Sequence, residues 1–395
     1  MTGNNKNYED YLQKNGAFMD ESDEVFAAQI YCPIIDLEHA DLAYEWMFTK
    51  DKENEASPAG PAGVMNPFQE ALSAKLKEKY IAYFNSLKLI HPLTKEVLSI
   101  GADGRSGSGY EYLMQKLDES ATKYLQKLER KELPEQYSVA DYLSGNYEFE
   151  APAPMDDKKD DKKPSLMQGH AGPGVALRDI PEEKPEGMEP PSLGDLVSRP
   201  PKGVPFHGFK PPMMMVPGKE KSSWLSWNGK EAKILNLDDY VMNHRRRMKP
   251  CTSFDTLGMD SGENCVFGTK EEPYLHFSAA IADAIAELKT EFPSEYEKYY
   301  ASYARAKEDE ALERRMYLIN PLNFIDTEEK SDTAKYYRIR VGASDADTSL
   351  SVGMTLALKL AAAGFPVDYA LVWDKPHCEA DYQGEVCDWI EQICK

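Results

Sequence analysis

Only seven histidines occur in the 395 residues, and one of them, His377, ends the string Asp-Lys-Pro-His directly behind an apolar run. An imidazole in a proline-stiffened loop at a strand end is placed as a general base needs to be, within reach of a reactant and of an orienting carboxylate. Asp345 precedes it by 377 − 345 = 32 residues, the span of one helix and one strand. An acid after one strand and a histidine after the next is the chain order of the last two members of a Ser–Asp–His triad. In such a pair Asp345 fixes the imidazole tautomer and stabilises the imidazolium. Asp347 stands just before an apolar segment starting at Thr348, where a short carboxylate can cap a helix and also accept from a ligand hydroxyl. Lys249 and Glu263 flank a polar, glycine-bearing loop, KPCTSFDTLGMDSGENCVFGT. On residue type alone, both read as ordinary surface charge.

The elements that must hold these groups are legible around them. Tyr337, Ile339 and Val341 alternate with Tyr336, Arg338 and Arg340, the period of a strand. Thr348 to Ala363 is apolar nearly all round, which predicts a buried helix, with Gly364 as its stop. Val367 to Trp373 is a second strand. Strand, crossover helix, strand is the unit of a parallel α/β sheet, which places its chemistry beyond the carboxyl ends of the strands. Far upstream, Val25–Ile34 is a continuous apolar run, expected as a strand buried on both faces. Three strands make a poor open sheet. The expectation is therefore that further strands precede Met1 and that the sequence begins mid-domain.

Between these parts the character changes. Asn66, Pro67 and Gln69 predict a capped helix start, followed by Phe68, Leu72, Leu76, Tyr80 and Phe84 on one face. A second amphipathic helix is expected over 110–131, with Leu113, Leu117, Ala121, Tyr124 and Leu128 as its stripe. Fourteen of the 26 prolines fall between Pro152 and Pro217, and DDKKDDKK is low in complexity, so 148–222 reads as a disordered insertion. Within it, Pro211–Met215 is a sticky patch. Further helices are expected from Leu237 to Met248, Tyr274 to Lys289, Ser294 to about Leu318 and Tyr382 to Cys394, the last with Val386, Trp389, Ile390 and Ile393 inward.

Composition excludes several classes. A formal charge of −21 lacks the basic footprint of a nucleic-acid binder. There is no apolar run of membrane-spanning length. The six cysteines form no CxxC and no zinc-finger spacing, and nothing calls for a metal or a cofactor.

Three segments together carry a resemblance. RIRVGASDADTS with VDYALVWDKPH, the loop MKPCTSFDTLGMDSGENCVFGT, and the opening TGNNKNYEDYL with VFAAQIYCPIIDLEHADLAYEW resemble the bacterial tannases, α/β-hydrolases related to feruloyl esterases. The resemblance covers residues 1–50 and about 236–395. It implies an α/β-hydrolase core at 1–55 and 331–395, a helical lid at 56–147, the Pro-rich insertion at 148–222, and a lid and substrate-binding segment at 223–330. It implies Asp345 and His377 as triad acid and base. It also implies Lys249, Glu263 and Asp347 as the residues contacting the hydroxyls of a galloyl ring, in a small-molecule phenolic ester. Such a pocket rejects rings lacking hydroxyls, because its buried polar groups are then left unpaired. Cys378 follows His377, as in fungal esterases where that cysteine is disulfide-bonded beside the serine.

The departure from the family is the nucleophile. No GxSxG occurs, and GRSGSG (Gly104–Gly109) fails the pattern and lies between two helices. The expectation is an N-terminally truncated tannase-like esterase, nearly inactive alone. Feruloyl or other esters, a non-catalytic phenol-binding protein and a decayed fragment are the alternatives. Compartment and oligomeric state are not legible.

Overall fold

The computed structural model describes residues 24–48, 65–135, 137–145, 224–244, 247–325, 333–377 and 380–395. The opening segment, the Pro-rich insertion with Pro211–Met215, and Cys378 lie outside these residues.

The parallel α/β unit forms as the alternation requires. Strands β1 (Ala27–Tyr31), β4 (Tyr336–Gly342) and β5 (Val367–Val372) make a parallel sheet in the order β1-β4-β5, while β2 (Leu225–Trp227) and β3 (Ala232–Ile234) form a separate antiparallel hairpin. Tyr31 aligns with Arg340, and Gly342 with Val372. Eleven described α-helices accompany them: α1 (Leu37–Met47), α2 (Pro67–Ser86), α3 (Ser108–Glu129), α4 (Val139–Ser144), α5 (Leu237–His244), α6 (Gly262–Val266), α7 (Ala279–Glu287), α8 (Pro293–Ala304), α9 (Glu310–Ile319), α10 (Leu350–Ala362) and α11 (Glu385–Ile393). The crossover helix α10 buries residues around its whole circumference, from Leu350 to Leu360. Gly364, at φ +91°, ends the turn that sends the chain into β5.

Helix α2 starts as its sequence dictates. Asn66 and Gln69 form a reciprocal capping box, and all five residues of the stripe, Phe68 to Phe84, are buried. The stripe of α3 is likewise buried. One contiguous core holds side chains of α1, α2, α3, α7, α10 and the central strands.

Several expectations are corrected. β1 is shorter than Val25–Ile34 and half-buried rather than buried on both faces, because Cys32 turns into the left-handed region at φ +42° and Pro33 follows. Helix α10 begins at Leu350 with Ser349 at its N-cap position, so Asp347 lies ahead of the cap. The helix expected over 274–289 is only α7, because the N–H groups of Phe277 and Ser278 both donate to Asp255 at 2.8 Å instead of opening a helix. The long helix over 294–318 is broken by a 3-10 turn at Arg305–Lys307, after which Asp309 accepts from Leu312 N–H at 2.9 Å and starts α9. Helix α5 is described as far as His244, the chain is not helical from Arg247 on, and α11 starts at Glu385, with Ile390 47% exposed rather than inward. Arg338 and Arg340 also break the simple two-face pattern. Both are buried in the central strand, Arg338 against Asp381 (2.7 and 2.9 Å) and Gln29, Arg340 against Asp368.

Candidate active site

The site assembles at the carboxyl ends of β4 and β5. Asp345 Oδ2 lies 3.0 Å from His377 Nδ1, with the Asp345 side chain fully buried and His377 one-third exposed. The second oxygen, Asp345 Oδ1, accepts the main-chain N–H of Asp347 at 2.8 Å. A buried carboxylate with both oxygens engaged holds its histidine in one orientation. The two loops meet through main chain: Ala343 N–H donates to Val372 O at 2.8 Å and Ser344 N–H to Lys375 O at 2.9 Å. Gly342 makes that approach possible, since a Cβ there would stand 2.2 Å from Lys375 O and 2.4 Å from Pro376 O. Beyond His377, the bidentate Arg338–Asp381 pair anchors the loop's far side to the central strand.

Lys249 joins this pair from another part of the chain. Its Nζ donates to Asp347 O at 3.2 Å, stands 3.4 Å from Asp347 Oδ1 and lies 4.7 Å from the centre of the Phe254 ring. Hydrogen bonds thus run unbroken from His377 through Asp345 and Asp347 to Lys249. Both ends reach solvent, with the His377 side chain 33% and the Lys249 side chain 29% exposed. Glu263 is brought less close. It is half-buried in the first turn of α6, and among the described residues no hydrogen bond or ion pair joins it to Lys249 or Asp347.

Buried polar groups that sequence reasoning did not single out position the Lys249 loop. The hydroxyl of Tyr44 on α1 accepts the N–H of Met248 (3.3 Å) and of Lys249 (3.2 Å) and donates to Ala346 O (3.1 Å), tying the two site loops together. Burial lifts Tyr44 to about 12, so it remains a phenol and keeps that donor. Arg247 forks onto Glu45 at 2.7 and 2.5 Å, and its Nε donates to Lys249 O at 2.7 Å. Asp41 accepts the N–H groups of Ser253, Phe254 and Asp255. Asp255 in turn accepts from Asn264 Nδ2 (2.8 Å), Phe277 N–H and Ser278 N–H, and faces His276 Nδ1 at 2.6 Å. Gln69, the capping residue of α2, also donates to Cys251 O. An acidic residue inside an otherwise apolar helix, as Asp41 and Glu45 are in LEHADLAYEWM, is the signal that could have marked this scaffold.

Asp374, just past β5, gives the site a pH signature. It sits at φ +60°, beside Trp373, whose Nε1 donates to Tyr142 at 2.7 Å. Burial pushes its carboxyl up to about 6, with Glu135 acting the same way and Tyr124, Tyr142 and Lys375 against it. In the unfolded chain it titrates near ~3.9. The fold therefore holds a proton that the unfolded chain has lost between those values. This contribution to stability is complete below about pH 4 and is lost as pH rises through about 6, on the order of 3 kcal/mol in all. Asp374→Asn keeps the left-handed backbone accessible and removes the titration. Thermal unfolding between pH 4 and 7 should show a flatter pH dependence in the variant; equal slopes would remove Asp374 from the account.

A parallel sheet, a buried crossover helix and an acid–histidine pair at successive strand ends fit an α/β-hydrolase fold. No protein-family model and no curated protein sequence matches the chain. Solved structures do, tannases among them. The tannin acyl hydrolase of Lactobacillus plantarum is 25% identical over 98% of this chain and 61% of its own, with a TM-score of 0.60. A tannin acyl hydrolase in complex with 3,4-dihydroxybenzoate is 25% identical over 98% of this chain and 60% of its own, with a TM-score of 0.61. The tannase of Fusobacterium nucleatum shares the fold, at 23% identity over 99% of this chain and 64% of its own, with a TM-score of 0.60. The chain thus spans about three-fifths of the length of these tannases. Among the described residues, no helix is long and apolar enough to cross a membrane.

Proposed function

We propose that the chain supplies the acid–base pair and the ring-binding residues of a tannase-type carboxylic ester hydrolase. The observation that carries this reading is the hydrogen-bonded line from His377 through Asp345 and Asp347 to Lys249. It puts proton-transfer groups at one end and, at the other, a cation and carboxylate able to bond phenolic hydroxyls. Structures of tannin acyl hydrolase with ethyl gallate and with 3,4-dihydroxybenzoate support the same ligand class.

In the proposed reaction a serine hydroxyl attacks the ester carbonyl while His377, through its far nitrogen, takes the hydroxyl proton. Asp345 stabilises the resulting imidazolium. His377 returns the proton to the departing alcohol, then activates a water that hydrolyses the galloyl-enzyme. Lys249, Asp347 and Glu263 bond the three ring hydroxyls, with Glu263 closing on the ring from α6. The described residues within 56–147 and 223–330 wall the pocket, and those within 1–55 and 331–395 form the hydrolase core.

The 395 residues contain no GxSxG, which supports reading the serine this mechanism uses as lying outside them. The chain alone should bind gallate but turn over methyl gallate slower than a complete triad, by a factor on the order of 10⁴–10⁶. Hydrolysis by the purified chain, followed by release of gallate, checks the second half. Turnover at ordinary enzyme rates would refute the assignment of the nucleophile. A phenol-binding protein without catalysis is the second reading, favoured by the same missing serine beside an intact Lys249–Asp347 pair. It holds if an upstream-extended chain carrying a GxSxG serine binds gallate and still fails to hydrolyse its esters. Faster hydrolysis of methyl ferulate than of methyl gallate by that extended chain would move the acyl group to the feruloyl class.

A further inference from the structure

Cys32 has no part in that mechanism, yet it belongs to the same cluster. It follows β1 directly, is 5% exposed, and donates its N–H to Arg340 O at 2.8 Å. Its φ of +42° is a left-handed conformation that residues with side chains seldom adopt. Such backbone persists where the surroundings fix it, and it concentrates at functional sites. The Cys32 Sγ, a nitrogen of His377 and a carboxylate oxygen of Asp345 all lie within 4.8 Å of one another. Each side chain comes from the carboxyl end of a different strand, and the three strands are adjacent in one parallel sheet.

We propose that Cys32, Asp345 and His377 form a binding site for a soft divalent cation, Zn²⁺ or Cd²⁺. A thiolate, an imidazole and a carboxylate are the three ligand types that zinc takes, and three protein ligands leave the fourth position for water. Ligands at zinc's bond lengths stand roughly 3.4–3.6 Å apart around a tetrahedron, so from a widest separation of 4.8 Å the cluster needs to contract by up to about 1.4 Å. Cys32 and Asp345 are buried, whereas His377 is one-third exposed in its loop and supplies the movement. The single thiol excludes the hard cations, which want six or more oxygens. On binding, the thiol proton leaves to solvent and the metal–sulfur bond replaces the S–H bond. The cation also takes Asp345 and His377 out of their hydrogen-bonded arrangement, so the metal-bound chain is not competent as an acid–base pair. The proposal does not rest on the esterase reading, since cation binding is read without any substrate.

The test is a titration of the reduced chain with Cd²⁺, followed by the thiolate-to-cadmium absorption, with Zn²⁺ calorimetry beside it. Cys265, Cys387 and Cys394 are exposed and could bind cadmium alone. The expected result is a one-equivalent transition that survives serine at each of these positions and at Cys378. It should weaken more than about tenfold in Cys32→Ser and in His377→Ala. The histidine variant, altered at a partly exposed position, keeps the test valid if Cys32→Ser fails to fold. The proposal is overturned if either variant titrates like the wild type, or if the signal follows one of the other cysteines.

Discussion

Arg247→Met should lower the unfolding free energy by about 3–5 kcal/mol, the cost of leaving a buried carboxylate without its partner. The Glu45 side chain is fully buried and that of Arg247 is 1% exposed, with two bonds between them at 2.7 and 2.5 Å. Ser73 also donates to Glu45, but a hydroxyl does not neutralise the charge. The double variant Arg247→Met with Glu45→Leu should recover most of the loss, because apolar side chains of similar volume can replace a buried pair at little cost. Urea unfolding of the two single variants and the double closes the cycle. A loss under about 1 kcal/mol for Arg247→Met would mean that Glu45 is reached by water. The same substitution removes the Nε donor to Lys249 O, 2.7 Å away, so the Lys249 loop should loosen along with the fold.

Asp255→Ala is expected to cost on the order of 4 kcal/mol, from several buried donors losing their acceptor together. Asp255 is fully buried and takes Asn264 Nδ2, Phe277 N–H and Ser278 N–H, with His276 Nδ1 at 2.6 Å. These contacts fix both the loop between Lys249 and Glu263 and the entry to α7. Asp260, exposed on the same loop and bonded to Thr256 at 2.6 Å, is the control. Asp260→Ala should stay within about 0.5 kcal/mol. Denaturant unfolding of both variants decides it. Equal effects would show that Asp255 does not organise the loop.

The residues that were legible from sequence are those whose meaning is local. The period of Tyr336 to Val341, the apolar run into Gly364, the capping box at Asn66 and the stripes of α2 and α3 each follow from neighbours within a few positions. The Asp345–His377 pair was legible because two strand ends and one crossover fix where acid and histidine emerge. What stayed hidden depends on distant partners. Tyr44 lies about 200 residues from Met248 and Lys249 and about 300 from Ala346, and no pattern in α1 marks its hydroxyl. The alternation of Arg338 and Arg340 with apolar residues does not show that ion pairs with Asp381 and Asp368 let both arginines be buried. The split between α8 and α9 was missed because a charged, good helix-forming run hides a side-chain cap at Asp309. Cys32 was passed over because a lone cysteine after a strand carries no signal until its neighbours are known.

The central claim is that Lys249 and Asp347 read phenolic hydroxyls beside the Asp345–His377 pair. Calorimetry of the 395-residue chain with gallate, and with its fully methoxylated analogue, tests it most directly. The account expects gallate to bind, the analogue to bind at least tenfold more weakly, and Lys249→Ala to lose about 1–3 kcal/mol of gallate affinity without loss of fold. Equal affinity for the two rings, or an unchanged gallate affinity in folded Lys249→Ala, would contradict it.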